Sequence, residues 1–496
     1  MDEKERLLRS ELSGELEKDE HALRILLNSP LNEDAIFRPY ASGGLKICII
    51  YIEGLSDDKK ISQFVMHAMK YADHPESFSI QKFREQIVEV GQARKAASIK
   101  EILPKILAGM GCILVDGANE ALILETRSYP HRAVGSPLSE AVVDGSHEGF
   151  NEHLRTNISL IRRYLQSAEL TTRMLTVGTK IPTLVAMVYL KGAADESCVE
   201  ELRRRLMCIE AKTVRGTGDI QQLIEDHPFA LLPQMLQTER PDRTASCLSD
   251  GQIAILVENS PYALIAPVTI FHLLHASDDS FLRWQYGTAL RLIRVIGILV
   301  SLLLPALYIA VSMYHAHLLP MPLLTSIAEA RANVPFPVIV EVLFMELSFY
   351  LLNEAGLRTP SRIGSAFGIV GALVLGQAAV AANIISPILI IIISLTGLGN
   401  YVVPNYGFGI GIVLYRLFLI VCSALFGLYG LVIGLFLIVL QLCSMKSFGV
   451  DYLAPIAPYR RHNPDILLRL PVWMQRTSMF FSSPRSWMRS RKEVQS

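Results

Sequence analysis

Lysine is missing from a long stretch of this chain. None lies between Val295 and Met445, and the only arginines there are Arg331, Arg358, Arg362 and Arg416. That is too little charge for a solvated domain, whereas charged residues are dense before residue 290. A membrane domain joined to a large soluble one is expected. Net charge is absent too: 47 Lys+Arg stand against 47 Asp+Glu, and nothing in the balance argues for nucleic acid. The seven cysteines (Cys48, Cys112, Cys198, Cys208, Cys247, Cys422, Cys443) form no CxxC pair and no even framework. This argues against a disulfide scaffold or zinc site and for reduced, partly buried thiols. The opening MDEKERLLRSELSGELEKDEHALRILL is charged and has no apolar h-region, so no cleavable signal peptide is expected. GxxxxGK(S/T), GxSxG and HExxH are also missing, and neither enzymatic activity nor a cofactor or metal is expected.

What is present before residue 290 reads as one plan written twice. KICIIYIEG (46–54) and TLVAMVYLKG (183–192) are β-branched runs that end at glycine and a polar turn. Each turn leads into an amphipathic stretch, ISQFVMHAMK (61–70) or CVEELRRRLMCI (198–209). CILVDGANEALIL (112–124) and AILVENSPYALIA (254–266) then read as hairpins. Gly54 precedes Val115 by 61 residues, and Gly192 precedes Val257 by 65. Two related α/β subdomains follow, preceded by an acidic helical arm. The expected fold class is an α/β soluble N-terminal region of two related subdomains followed by an all-α polytopic membrane domain. The expected boundaries are an arm over 1–39, subdomains over 40–135 and 178–285, and a basic helical linker over 136–177. A membrane domain of four to six helices over 286–445 and a basic cytoplasmic tail over 446–496 complete the layout.

The linker carries Arg155, Arg162 and Arg163 among Leu154, Ile158, Leu160, Ile161 and Leu165. It is either a solvated helix face or a partner-binding or membrane-surface helix. His272 and His275 sit three apart without an acidic third ligand, which favours a packed pair over a metal site. His315 and His317 read as loop residues beside a span. The Asn157-Ile-Ser159 sequon falls in a segment placed in the cytoplasm, so glycosylation is not expected.

In the apolar half, 295–314, 366–383, 387–404 and the long run 411–443 are candidate spans. Arg283, Arg291 and Arg294 precede the first, and nine Lys/Arg against three acidic residues follow from Lys446. Both flanks are expected on the cytoplasmic side, which requires an even number of crossings. The segment PFPVIVEVLFMELSFYLLNEAG (335–356) decides the count, because it carries Glu341, Glu346 and Glu354. If it crosses, the 411–443 run must cross twice or re-enter, with its hinge near Gly427 and Gly430. If it does not cross, four spans suffice. The second is favoured, since a charge at the bilayer centre costs about 2.5–3.5 kcal/mol.

At 100° per residue, Glu346, Asn353 and Glu354 fall within about 100° of one another and Glu341 points elsewhere. Glu341 then reads as a structural charge near a helix N-terminus. Glu346, Asn353 and Glu354 form a stripe that faces protein, water or ions, and with Gln377 and Asn383 they are the candidate pore or gate. The alternative is that the carboxylates pair with Arg358, Arg362 or a partner subunit. Gly364, Gly368, Gly371 and Gly376 are candidates for close helix packing.

PFPVIVEVLFMELSFYLLNEAGLRTPSRIGSAFGIVGALVLGQAAVAANIISP (335–387) resembles the signature of the A subunits of bacterial spore germinant receptors, the GerA family. EGF…LRTNISLIRR (148–163), QTERPDR (237–243), DGQIAILVENSPYALIAP (250–267), VPNYG (403–407) and SFG (447–449) are similar to family blocks, in order from about residue 40 to 460. Stage V sporulation protein AF is a paralogue of similar architecture. The resemblance implies an integral protein of the spore inner membrane with its soluble domain in the cytoplasm. It implies two partners, a transporter-like, nutrient-binding B subunit and a lipoprotein C subunit, and self-association into a ring that passes ions when nutrient is sensed. A secondary transporter and an accessory scaffold are the competing functions. Transporters usually carry their repeat within the membrane part, and here the repeat is in the soluble half.

Overall fold

The computed structural model describes residues 3–42, 45–57, 59–62, 93–126, 144–358, 376–458 and 468–471, with 137, 140 and 142 besides. The chain opens with helices α1 (Glu3–Leu8) and α2 (Leu16–Leu26). The first sheet comprises β1 (Ala35–Ser42), β2 (Leu45–Ile52), β3 (Ala93–Ala96), β4 (Gly111–Val115) and β5 (Ala121–Leu124), with helix α3 (Ile99–Leu107) between β3 and β4. Helix α4 (Leu154–Tyr164) leads to β6 (Leu170–Val177) and β7 (Thr183–Leu190). Then come α5 (Glu196–Met207), α6 (Thr217–Ile224), β8 (Leu236–Thr238), α7 (Pro241–Ser249), β9 (Ile253–Val257), β10 (Ala263–Ala266) and α8 (Ile270–Leu274). The apolar half contains α9 (Trp284–Tyr314), α10 (Met321–Arg331), α11 (Val338–Arg358), α12 (Pro387–Tyr401) and α13 (Tyr406–Ser444). A short ladder, β11 (Lys446–Ser447) with β12 (Val450–Asp451), follows.

The two sheets have the same construction. Their strand orders are β1-β2-β4-β5-β3 and β6-β7-β9-β10-β8, antiparallel throughout. Alternate residues of each strand enter different cores, because strand side chains point to opposite faces. In the second sheet Val185, Met187, Ile253, Ile255 and Val257 pack with α5 and α6, while Ala186, Val188, Ala254 and Leu256 pack with α4 and α7. Both faces are covered, which is why these strands read as unbroken apolar runs. Local signals start the helices. Ser98 accepts the N–H of Lys100 ahead of α3, and Asp195 that of Ser197 ahead of α5. Of the amphipathic stretch expected at 61–70, all but Ile61 and Ser62 lies outside the described residues.

The first sheet begins at Ala35, ahead of the boundary expected at 40, and the second at Leu170, inside the stretch expected as linker. The basic helix of that linker is largely buried, with Arg155 and Tyr164 at its exposed edge. Arg162 of α4 is fully buried and grips the carboxylate of Asp34 at the start of β1, with Nη2 to Oδ1 at 2.6 Å and the Nε–Oδ2 contact beside it. The same Nη2 reaches Asn32 Oδ1 at 3.0 Å and the carbonyl of Leu170 at 3.1 Å. Arg155 pairs with Glu53 and Arg163 with Glu148. Arg155 and Arg162 thus tie α4 to the first unit, while the Arg163 pair stays within the segment that leads into α4. Asn157 of the sequon is fully buried, its amide donating to the carbonyl of Asn151 at 2.6 Å.

Among the described residues, two helices are long and apolar enough to cross a membrane, α9 and α13, and α12 is a shorter apolar helix of 15 residues. Helix α13 folds back on itself. Gly427 has φ +59° and ψ −138°, which breaks the helix into two arms at the hinge of the less favoured alternative. The arms run antiparallel, with Tyr415 Oη 3.2 Å from Gln441 Oε1. The turn at Gly427 meets Tyr314 and His315 at the far end of α9. Helix α12 runs against α9: Gly399 approaches Gly297 near the middle of α9, while Ser386, ahead of α12, lies beside Tyr308 further along it.

Helix α11 packs along the length of α12. It runs alongside α12 from Glu341, which accepts the N–H of Ser386 at 3.1 Å, to Asn353, which accepts from Tyr401 Oη at 3.2 Å. Glu341 pairs with Arg331 and Glu346 with Arg416, so for these two carboxylates the insertion penalty that favoured four spans is offset within the protein.

A side chain at Gly399 would collide with the backbone of Gly297 and come within 3.2 Å of Ser301 Cβ. Gly399→Ala should therefore lower the unfolding free energy by about 1–3 kcal/mol through overpacking. Gly218→Ala, at a helical site with open space, serves as the neutral or stabilising control in the same detergent melt.

Both ends of the helical region are anchored in the second α/β unit. Arg291 and Arg294, expected as positive flanks of a span, are buried against Asp279, at 3.5 Å and 2.9 Å. Burial pushes the Asp279 carboxyl up, but the two guanidiniums outweigh it and hold the group below its ordinary value. At the other end, the first residues of the expected tail are not a tail. Ser447 Oγ donates to Gln234 O at 2.7 Å and accepts from the N–H of Val268, and the N–H of Phe448 donates to Asp226 at 2.6 Å.

His272 sits at this junction, fully buried, its Nδ1 accepting the N–H of Thr269 at 3.0 Å. Burial, then the positive charges of His275 and Arg243, push its pKa well below the usual value. The folded protein therefore keeps the imidazole neutral where an unfolded chain binds a proton, so its contribution to stability is whole above about pH 6.5 and declines below it. Stability should fall by up to ~1.4 kcal/mol per pH unit below that point. Denaturant titrations at several pH values would show it, with a flatter profile for His272→Asn.

Candidate functional site in the helical bundle

Helix α11 places Glu346 in the interior, 7% exposed, and the first arm of α13 brings Arg416 to it, 6% exposed. Arg416 Nη2 is 2.8 Å from Glu346 Oε2, and its Nη1 donates to Ser301 Oγ of α9 at 2.9 Å and to Ser301 O at 3.3 Å. One ion pair therefore links three helices. A lone carboxylate or guanidinium in such surroundings would be strongly unfavourable, and each neutralises the other.

The pair borders a cavity of about 280 Å³ lined by Glu346, Asn353, Glu354, Asn400, Tyr401 and Arg416. Glu346 Oε1, Asn400 Oδ1 and Arg416 Nε are buried there without a hydrogen-bond partner among the described residues. The cavity offers oxygen acceptors and one unused donor in a space large enough for several waters.

The stripe Glu346, Asn353 and Glu354 is thus brought together. Glu346, however, faces a guanidinium and is not a bare pore-lining carboxylate. Glu341 lies apart, 2% exposed, clasping Arg331 at 3.1 Å and the N–H of Ser386, a structural role. Gln377 and Asn383 are exposed and line no part of the cavity. Asn383 has φ +56° and its N–H bonds to the carbonyl of Val380, so it terminates a helix. Gly376 meets Ile390 only at ordinary contact distance, and Gly364, Gly368 and Gly371 lie outside the described residues, as do Arg362 and the side chain of Arg358. The close packing is made by Gly297 with Gly399, and by Gly430 and Gly434 against Cys422 across the hairpin. Sequence reading missed Arg416 as the partner, although it is the one charge in the 411–443 run and so needed an internal counterion.

A family profile described as Bacillus/Clostridium GerA spore germination protein matches residues 22–479. The chain belongs to the GerA family. It is 36% identical over 447 residues to spore germination protein KA of Bacillus subtilis (strain 168), covering 89% of this chain and 82% of that protein. It is also 36% identical over 448 residues to the uncharacterized membrane protein YfkQ of the same organism, covering 89% and 86%. The crystal structure of the N-terminal domain of the A subunit of the Bacillus megaterium spore germinant receptor GerK3 aligns with 52% of this chain and 97% of that one, at 26% identity and a TM-score of 0.42.

The blocks by which the sequence resembles the GerA family fall at joints. LRTNISLIRR supplies Arg162 between the sheets. QTERPDR supplies Arg243, which pairs with Glu140 at 3.0 Å and holds the carbonyls of His272 and His275. VPNYG supplies Asn405, whose Oδ1 accepts the N–H of Phe408 to start α13, and SFG plants the end of α13 in the second unit. These residues hold the parts of a GerA protein in register.

Proposed function

We propose that this chain is the A subunit of a nutrient-responsive receptor of the spore inner membrane. In this reading its helical region crosses the bilayer six times, with both ends on the cytoplasmic side. Copies of the chain form a ring, work with a transporter-like, nutrient-binding B subunit and a lipoprotein C subunit, and release ions at the onset of germination. Family membership supports the germination role. The observation that carries the mechanism is the buried Glu346–Arg416 pair beside a polar cavity. A pair that joins three helices can latch them closed, and nutrient binding to a partner would release it. Germination receptors are named for sensing and not for catalysis, and the polar cavity needs no reaction to explain it.

The test is ion flux from liposomes holding the purified receptor. Glu346→Gln removes the charge but keeps the shape and an oxygen that can accept from Arg416, so abundance should fall less than in a variant with no acceptor there, while ion leak without nutrient rises about tenfold, the effect of removing ~1.4 kcal/mol from the closed state. Normal leak, normal nutrient response and normal abundance in both Glu346→Gln and Glu346→Leu would refute the latch.

A further inference from the structure

Phe229 is 96% exposed, more than any other large apolar side chain among the described residues. In the connection from α6 to β8 it stands on the stretch His-Pro-Phe-Ala-Leu-Leu-Pro, residues 227–233, which follows Glu225 and Asp226 and itself carries no Asp, Glu, Lys or Arg. The loop is built, not slack. Gln234, 1% exposed, closes its base: Nε2 donates to His227 O at 2.7 Å and Oε1 accepts the His227 N–H at 3.0 Å. The N–H of Ala230 bonds back to the same carbonyl at 3.0 Å. A formed turn therefore holds a phenyl ring outward, forgoing the stabilisation that burying it would contribute.

The place where it points is defined by its neighbours. Leu231 and Leu232 pack on Gly411 so closely that a Cβ there would lie 2.7 Å from Leu231 O, and Pro233 lies against Gly407. These glycines are in the first turns of α13. At the same end of the bundle Tyr406 is 62% exposed at the start of α13, and Trp284 and Tyr286 are exposed at the start of α9. Aromatic rings clustered at the ends of apolar helices mark the boundary between lipid and water. Leu223, at the end of α6, adds an exposed apolar neighbour to the loop.

We propose that the 227–233 loop is a membrane anchor of the second α/β unit, with Phe229 inserted at the boundary between headgroups and acyl chains of the leaflet where α9 and α13 begin. This rests on the reading that those helices cross the bilayer. The loop then does more than dip. Asp226 at its neck accepts the N–H of Phe448 and pairs with Arg205, and Pro233 O accepts Tyr452 Oη at 2.9 Å. One short segment thus touches the start of the α13 hairpin, the residues after its end, and the lipid surface. It ties the sheet to the membrane plane on the side where the hairpin enters.

The test uses the full chain with Trp284, Trp473 and Trp487 replaced by Phe and one tryptophan introduced, as Phe229→Trp or, for reference, Ile433→Trp in the second arm of α13. Each protein is reconstituted in phosphatidylcholine–phosphatidylglycerol vesicles with or without bromine on the upper acyl chain. The expected result is blue-shifted emission from both, quenched in both by the brominated lipid. Quenching at position 433 without quenching at 229 overturns the anchor while leaving the crossing intact. Red-shifted emission would then mean that Phe229 faces water, and blue-shifted, unquenched emission that a second copy covers it. Absence of quenching at both positions overturns the crossing, and the anchor falls with it.

Discussion

Replacing Arg162 with Leu should destabilise the folded protein by about 3–5 kcal/mol, the range for removing one partner of a buried ion pair. Asp34 is almost completely enclosed, and Arg162 supplies its two charge-assisted hydrogen bonds. Thr172 Oγ1, at 3.4 Å, is a weak substitute. Without the guanidinium the carboxylate must either sit uncompensated or take up a proton. Burial already pushes its pKa up against the pull of Arg162, and the variant removes that pull. The deficit should therefore shrink as pH is lowered toward the carboxyl range, where Asp34 becomes neutral in both states. The second replacement, Asp34→Leu on top of Arg162→Leu, should recover most of the loss, because an apolar pair of similar volume is often neutral or better. Chemical unfolding of the purified chain, followed by circular dichroism at neutral and acid pH, measures the parent and both variants. A single variant within about 1 kcal/mol of the parent would show that the joint between the sheets does not depend on this pair.

Arg416→Leu should act as strongly in the bundle and separate stability from function. It leaves Glu346 buried without its partner, and about 3–5 kcal/mol is again the expected deficit, seen as loss of the protein from the membrane fraction. Glu346→Leu combined with Arg416→Leu should restore abundance, since no charge then remains to be enclosed. The latch, however, is gone in the double variant. It should release ions without nutrient, or fail to respond to it, at near-normal protein levels. Restored abundance with normal gating would assign the pair to packing alone. Persistent loss of protein in the double variant would show that Ser301, which receives two hydrogen bonds from Arg416, also depends on the guanidinium.

The repeat in the soluble half was legible because strand and hairpin patterns are local. KICIIYI and TLVAMVYL carry their β-branched residues in sequence, and the polar turns of both hairpins stand between apolar runs. The hinge of α13 was legible only as the less favoured alternative, although few residues other than glycine accept the backbone found at Gly427. The stripe of Glu346, Asn353 and Glu354 follows from helical periodicity and does line one cavity.

What could not be read is who meets whom across the chain. A basic helix with three arginines looks solvated until Asp34, Glu53 and Glu148 are seen opposite it. Arg291 and Arg294 look like a membrane flank until Asp279 folds back on them. Charge has no period that betrays its partner, and the energy of a buried pair depends on a separation of a few ångströms that sequence distance does not encode. Composition and periodicity thus settle two sheets, an apolar helical region and a carboxylate stripe, because each arises from neighbours in the chain. The pairing of Glu346 with Arg416, 70 residues away, and of Arg162 with Asp34 across the two sheets, exists only once packing has excluded water and left each charge a single partner.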